Sequence, residues 1–204
     1  FPMIVRKKFY QNIKSEIEQM GYNQDKIDFL CSIIGENSKI FDIGCNDGYI
    51  GSLLLKKSNS VYGIDITKKK VEQAVKRGIR ASVLDIEEQP FPYKDNYFDV
   101  VLLTDVIEHI FDTDVLLMKI RRVLKIKGTL IITTPNVASL GRRILLFLGL
   151  NPYLEYSTNY MNYSHAPVGH IRYYTMANLR KQLQLNGFQD IMIKGDRVNY
   201  FINS

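Results

Sequence analysis

A glycine-bearing turn and a carboxylate, spaced as a nucleoside ligand requires, stand in the first third of the chain. Lys39-Ile40-Phe41-Asp42-Ile43-Gly44-Cys45-Asn46-Asp47-Gly48 runs from an apolar stretch into a turn, and Val61-Tyr62-Gly63-Ile64-Asp65-Ile66 follows. The first run reads as a strand that ends where glycine lets the backbone approach a ligand closely. The second run ends in an acid. A carboxylate at the tip of the next parallel strand accepts hydrogen bonds from ribose hydroxyls, and nucleoside-binding α/β folds place it about 20 residues after the turn. Asp65 occupies that position.

The details of the turn separate two classes of ligand. A pyrophosphate site needs Gly-x-Gly-x-x-Gly ahead of a helix. Counted from Gly44, its second and third glycines would fall on Asn46 and Tyr49, which argues against a nicotinamide oxidoreductase. Phe41–Gly48 instead resembles motif I of the class I S-adenosylmethionine-dependent methyltransferases, Asp-x-Gly-x-Gly-x-Gly, with Asn46 at the middle glycine. Among residues with a side chain, Asn tolerates left-handed backbone well.

Further runs match that superfamily in order. Leu84-Asp85-Ile86 resembles the adenine-binding position, Phe91–Val101 the approach to the fourth strand with Asp99 in a structural role, and Leu124–Leu130 the link into the fifth, with Gly128 making the turn. The match covers residues 36 to 136 and, less closely, 170 to 193. It implies an α/β fold: a Rossmann-like, mostly parallel sheet with helices on both faces, and S-adenosyl-L-methionine as cofactor, leaving as S-adenosyl-L-homocysteine. On this resemblance Asp42, Gly44, Cys45 and Gly48 surround the methionine part of the cofactor. Asp65 and Ile66 meet the ribose, Asp85 and Ile86 the adenine, and Thr104 touches the cofactor from strand four.

The acceptor side is read from Thr104-Asp105-Val106-Ile107-Glu108-His109 at the carboxyl edge of strand four, and from His165-Ala166-Pro167-Val168-Gly169-His170-Ile171-Arg172 further on. One helical turn would place Asp105, Glu108 and His109 on a common face. Methyl transfer is an in-line displacement that needs alignment, plus a base when the acceptor is a hydroxyl. His109 and His170 are the candidate catalytic residues, with a carboxylate such as Glu108 to orient the imidazole. The Glu-x-x-Glu-His part of the pattern resembles the ubiquinone-pathway O-methyltransferases. With the distant His it also resembles the metal site of small-RNA terminal 2′-O-methyltransferases. Asp105 is one methylene shorter than the Glu of those families, and no metal site is assigned; a divalent ion that activates a hydroxyl stays as the alternative.

These residues must be held by alternating elements. Helical spacing of Phe9, Ile13, Ile17 and Met20, and again of Ile27, Leu30, Cys31 and Ile34, predicts two amphipathic helices over residues 1–35. Strands are expected near 39–43, 61–64, 81–84, 98–103 and 129–133, with helices through 53–55, 67–77 and 115–124 between them. Thr67 reads as an N-cap and Gly78 as a helix stop. Such alternation implies a parallel sheet covered on both faces. After Pro135, residues 136–172 form an insertion too long for an ordinary loop. Its segment 140–150 is expected as a lid helix over the site, with membrane-surface contact or dimer packing as the alternative, and its tyrosines, His165 and Arg172 are candidates for acceptor contact beside His109 and His170. A last helix over 175–186 and a sixth strand over 188–193 complete the expectation, with Val198–Ile202 a candidate closing strand.

Bulk properties bound the rest. The 204 residues suit one domain, and 46% hydrophobic with 24% charged residues fits a globular protein. Net charge is +6, but the basic residues are scattered in small groups and no RNA-binding module or base-flipping motif appears, so nucleic acid is not the favoured partner. Two distant cysteines, Cys31 and Cys45, with no signal peptide or spanning stretch, point to a cytoplasmic location. The chain starts at Phe1, so the natural protein is expected to extend further. The reading is a methyltransferase acting at oxygen on a small or carrier-linked metabolite. The alternatives are a metal-dependent RNA 2′-O-methyltransferase and a non-catalytic cofactor-binding partner protein.

Overall fold

The computed structural model describes residues 24–57, 60–152 and 169–195. Five strands, β1 (Lys39–Ile43), β2 (Ser60–Asp65), β3 (Arg80–Val83), β4 (Phe98–Thr104) and β5 (Leu124–Thr133), form one parallel sheet in the order β3-β2-β1-β4-β5. The chain reverses direction across the sheet between β1 and β4, because β1 leads out toward β2 and β4 toward β5. In open sheets of this kind the ends of the two central strands part there and leave a crevice at their carboxyl edge.

Both faces of the central strands β1 and β4 are buried, so these strands are apolar nearly throughout, whereas the edge strand β3 is largely exposed. Ile40, Val100, Leu102 and Ile131 face one core with Leu30, Leu54 and Ala74. Those last three come from helices α1 (Gln24–Ile33), α2 (Tyr49–Leu55) and α3 (Lys68–Lys76). Phe41, Ile43, Val101 and Leu103 face the other core, against Leu116, Ile120 and Val123 of α4 (Thr113–Val123). Asp112 caps α4 by accepting a hydrogen bond from Val115 N at 3.0 Å. The link from β3 to β4 carries no helix of its own. Its aromatic residues do the covering: Phe91 and Tyr93 meet Phe41 edge-on at 5.1 and 5.0 Å, while Phe98, the first residue of β4, stacks on it at 4.8 Å.

Several expectations change in detail. Gly78 does stop α3 with φ 91°, but Thr67 makes no side-chain cap and instead donates its N–H to Asp65 Oδ1 at 2.8 Å. The expected turn at Gly128 lies within the first half of β5, and the left-handed residue there is Lys127 (φ 65°), not Gly128. Gly128 is needed for room, since a Cβ there would lie 2.9 Å from Leu124 Cγ and Lys125 O. Asp99 is structural as expected, accepting from Lys39 N at 2.9 Å and Lys125 Nζ at 2.6 Å, which ties the starts of β1, β4 and β5 together. The expected sixth strand over 188–193 is absent: these residues have no regular structure. Asp190 takes φ 51° in the middle of the run, which breaks an extended backbone, and Met192 is 89% exposed.

Helix α5 (Leu140–Phe147) follows β5, shorter than the expected 140–150, and buries none of its residues. Helix α6 (Met176–Leu185) begins with a reciprocal cap between Thr175 and Asn178. The helix expected over Phe9 to Met20, the insertion's Tyr153, Tyr156, Tyr160, Tyr163 and His165, and the stretch Val198–Ile202 lie outside the described residues.

Candidate functional site

The turn after β1 alternates hands. Gly44, Asn46 and Gly48 have φ of 74°, 51° and 79°, so every second residue is left-handed. Two of the three positions need glycine for space as well. A Cβ on Gly44 would sit 2.5 Å from Val106 Cγ2, and one on Gly48 would meet Ala74 Cα at 2.8 Å. Asn46 takes the left-handed conformation in place of the middle glycine, the substitution an Asn side chain best allows. Its N–H donates to Asp65 Oδ2 at 3.0 Å, which binds the turn to the tip of β2. Asp65 thus turns one oxygen to Asn46 and the other to Thr67.

Cys45 turns inward. Its thiol packs beside Gly63, its N–H donates to Ile64 O at 3.0 Å and its carbonyl accepts from Gly48 N at 2.9 Å. Burial first, and then the charge of Asp42, push the thiol well above its ordinary pKa. Cys45 shapes the turn from within the core. Asp42 is 3% exposed; burial first, and then Asp65, raise its carboxyl to about 7.

Two buried oxygens along this edge lack a hydrogen-bond donor among the described residues, Asn46 Oδ1 and Asp85 Oδ2. Asp85 uses Oδ1 to accept from Glu87 N at 3.1 Å, which orients the carboxylate. A buried acceptor without a partner is costly, and a ligand that brings donors removes the cost. An adenosyl group with an amino acid tail brings such donors: an exocyclic amine, ribose hydroxyls and an ammonium. The residues present thus fit S-adenosylmethionine. Ile66 and Thr104 stand half-buried at the tips of β2 and β4, on the same edge.

The second half of the site lies past β4. Asp105 does not share a face with Glu108 and His109. It takes φ 51°, bonds Thr133 through both its N–H (2.9 Å) and its Oδ1 (3.0 Å), and its other oxygen pairs with Lys26 of α1. The helical turn is only the 3-10 segment Ile107–His109. Glu108 is 1% exposed, accepting from Thr134 Oγ1 at 3.1 Å, with its Oε1 3.8 Å from His170 Nε2. Burial, followed by the charge of Asp105, raises Glu108 to about 7. The rings of His109 and His170 lie 4.9 Å apart. His109 Nδ1 stands 3.2 Å from Gly169 O. A carbonyl can only accept, so in the neutral ring this contact places the proton on Nδ1 and the lone pair on Nε2.

Sequence reasoning missed that Asp105 leaves this group, because a positive φ at a non-glycine residue has no composition signal. Ligand atoms of Glu108, His109 and His170 all lie within 4.8 Å of one another. One carboxylate and two imidazoles make a donor set suited to Mn²⁺, Fe²⁺ or Zn²⁺ more than to Mg²⁺. Of the expected aromatic wall, Tyr174 is a core residue at 7% exposure, while Tyr173 is 47% exposed.

Comparison with known proteins agrees with this geometry. A family profile described as a methyltransferase domain matches residues 34–184. The ubiquinone biosynthesis O-methyltransferase of Pelagibacter ubique is 34% identical over 105 residues, covering 50% of this chain and 43% of that protein. An uncharacterized protein of Methanocaldococcus jannaschii is 38% identical over 109 residues, covering 52% of this chain and 45% of that one. The chain thus spans less than half the length of these curated relatives. An S-adenosylmethionine-dependent methyltransferase from Thermotoga maritima superposes with a TM-score of 0.65 at 21% identity, covering 90% of this chain and 80% of its own, a likeness of fold. With the profile spanning most of its length and the parallel sheet, motif turn and strand-tip acids in place, the chain belongs to the class I S-adenosylmethionine-dependent methyltransferases.

Proposed function

We propose that this protein transfers a methyl group to a hydroxyl of a small or carrier-linked metabolite, using His109 and His170 as its acceptor-side catalytic residues. The observation that carries the reading is the convergence of Glu108, His109 and His170 just past the tip of β4. The ubiquinone pathway named for the Pelagibacter relative supports oxygen as the acceptor atom. S-adenosylmethionine, when bound, supplies an electrophilic methyl on a sulfonium.

The chain's own residues do the rest. Gly44, Asn46 and Gly48 shape the turn around the methionine part of the cofactor. Asp65 and Ile66 meet the ribose, and Asp85 with Ile86 the adenine. His109 Nε2, which carries the lone pair, takes the acceptor's hydroxyl proton as the new bond to oxygen forms. Glu108, once ionised, stabilises the charge gathered on the histidine pair. Helix α5 covers the acceptor side as a lid.

The test is a panel of phenols and catechols assayed with radiolabelled S-adenosylmethionine, on the unaltered protein and on His109→Asn and His170→Asn. Each variant should lower kcat by about 10²-fold or more while leaving cofactor affinity unchanged. Full turnover in both variants, with an accepted substrate, would refute the assignment.

A second reading uses the same three side chains to hold a divalent ion, which would polarise the acceptor oxygen as a Lewis acid. Their common reach of 4.8 Å is what favours it. A chelator that abolishes turnover, with recovery on Mn²⁺ but not Mg²⁺, would select this reading over the metal-free one.

A further inference from the structure

His170 reaches Glu108 because the chain returning from the insertion is laid across the 3-10 turn. Ile171 N and Arg172 N both donate to Glu108 O, at 3.0 and 3.1 Å, and Gly169 O faces His109 Nδ1 at 3.2 Å. These bonds fix the strap over residues 108 and 109 only. Beyond them, the Arg172 side chain ties the strap to the segment after the 3-10 turn. Arg172 Nε donates to Ile110 O at 2.8 Å and Arg172 Nη2 donates to Phe111 O. On its far side the strap continues to Tyr174, whose carbonyl accepts from Val137 N at 2.8 Å.

We propose that Arg172 is a positioning residue: its guanidinium clamps two successive carbonyls after the 3-10 turn and thereby holds His170 in register with Glu108 and His109. The inference rests on the reading of those three residues as the acceptor-side site. A planar fork presents two donors at fixed spacing, as two neighbouring carbonyls require, whereas an ammonium is a single point donor. The side chain touches neither the three site residues' ring or carboxylate atoms nor the cofactor turn among its hydrogen bonds. Its role passes through the backbone. Arg122 makes a comparable clamp elsewhere, donating to Phe91 O, Tyr93 O and Asp95 Oδ1, each at 2.8 Å. It serves as the control.

The experiment is NMR on isotope-labelled protein, unaltered and as Arg172→Lys, Arg172→Ala and Arg122→Ala, with S-adenosylhomocysteine affinity measured by calorimetry. The readouts are the contact between the His109 and His170 ring protons, whose rings lie 4.9 Å apart, and the titration midpoint of the Glu108 carboxyl. Burial, the largest influence, and Asp105 raise that carboxyl, while His170 and Thr134 lower it. The Arg172 variants displace His170 and admit water, and the loss of burial outweighs the loss of His170. Both Arg172 variants should lose the ring contact and lower the Glu108 midpoint by about one unit or more as water enters, with affinity held within about threefold. Arg122→Ala should keep both signatures. Retention of both in Arg172→Ala would overturn the proposal, as would rescue of both by lysine or a parallel loss of S-adenosylhomocysteine binding. Absence of the ring contact in the unaltered protein would overturn the three-residue site itself, and the clamp with it.

Discussion

Glu108 and His170 meet across 3.8 Å, from Oε1 to Nε2, with both side chains nearly sealed from solvent at 2% and 9% exposure. The pair joins the tip of β4 to the strap that returns from the insertion. It sets the electrostatics of the proposed acceptor side.

Those electrostatics give stability a pH dependence. Glu108 rises from 4.5 to about 7, by burial first and then by Asp105, and Asp42 from 3.8 to about 7, by burial first and then by Asp65. A raised folded value means that the unfolded chain gives up these protons first. The contribution is therefore whole below pH 4 and is lost as pH rises to 7. Urea unfolding across this range should show stability falling with pH. Glu108→Gln keeps an acceptor for Thr134 and should be more stable than the unaltered protein at pH 8 by about 2–3 kcal/mol, with the difference vanishing below pH 4.5.

Cofactor binding should carry a proton signature. A cationic ligand near Asp42 favours the ionised carboxylate, so binding near pH 6 should release protons, and binding at pH 8.5 should release fewer. Calorimetry in buffers of different ionisation enthalpy measures the number directly. Equal proton counts at both pH values would separate Asp42 from the cofactor.

Asp85→Asn tests the adenine contact. The change keeps Oδ1 for Glu87 N but turns Oδ2 into a donor that faces the ligand's own amine. Affinity for S-adenosylhomocysteine should fall about tenfold or more, while thermal stability should change little, because an unpaired buried acceptor is exchanged for an unpaired buried donor. Unchanged affinity would place the adenine elsewhere.

Gly44→Ala tests the turn. Its Cβ would combine φ 74° with a 2.5 Å approach to Val106 Cγ2, costing about 2–4 kcal/mol in unfolding measurements. Val106→Ala in the same chain should recover the steric part and leave the backbone part of roughly 1 kcal/mol.

Much of this architecture can be read from residues alone. Runs such as Ile40-Phe41 and Val100–Leu103 mark doubly buried strands, and the distance from Gly44 marks Asp65 as the acid at the tip of β2. The hydrogen bond it accepts from Asn46 N is a contact that the spacing does not announce. Even the left-handed Asn46 is foreshadowed by its place in the motif. Other features are not written locally. Asp105 leaves Glu108 and His109 because Thr133 and Lys26, distant in sequence, hold it elsewhere. The sixth strand fails at Asp190, whose left-handed conformation is not announced by the apolar residues around it. His170 finds Glu108 through the Arg172 strap, a tertiary contact with no periodic signal.

The most direct test of the account is calorimetric titration of the protein with S-adenosylmethionine, S-adenosylhomocysteine and NAD⁺. Saturable binding of both adenosyl compounds, weakened in Asp85→Asn, with no binding of NAD⁺, is the predicted result. A folded protein that binds neither adenosyl compound would contradict it.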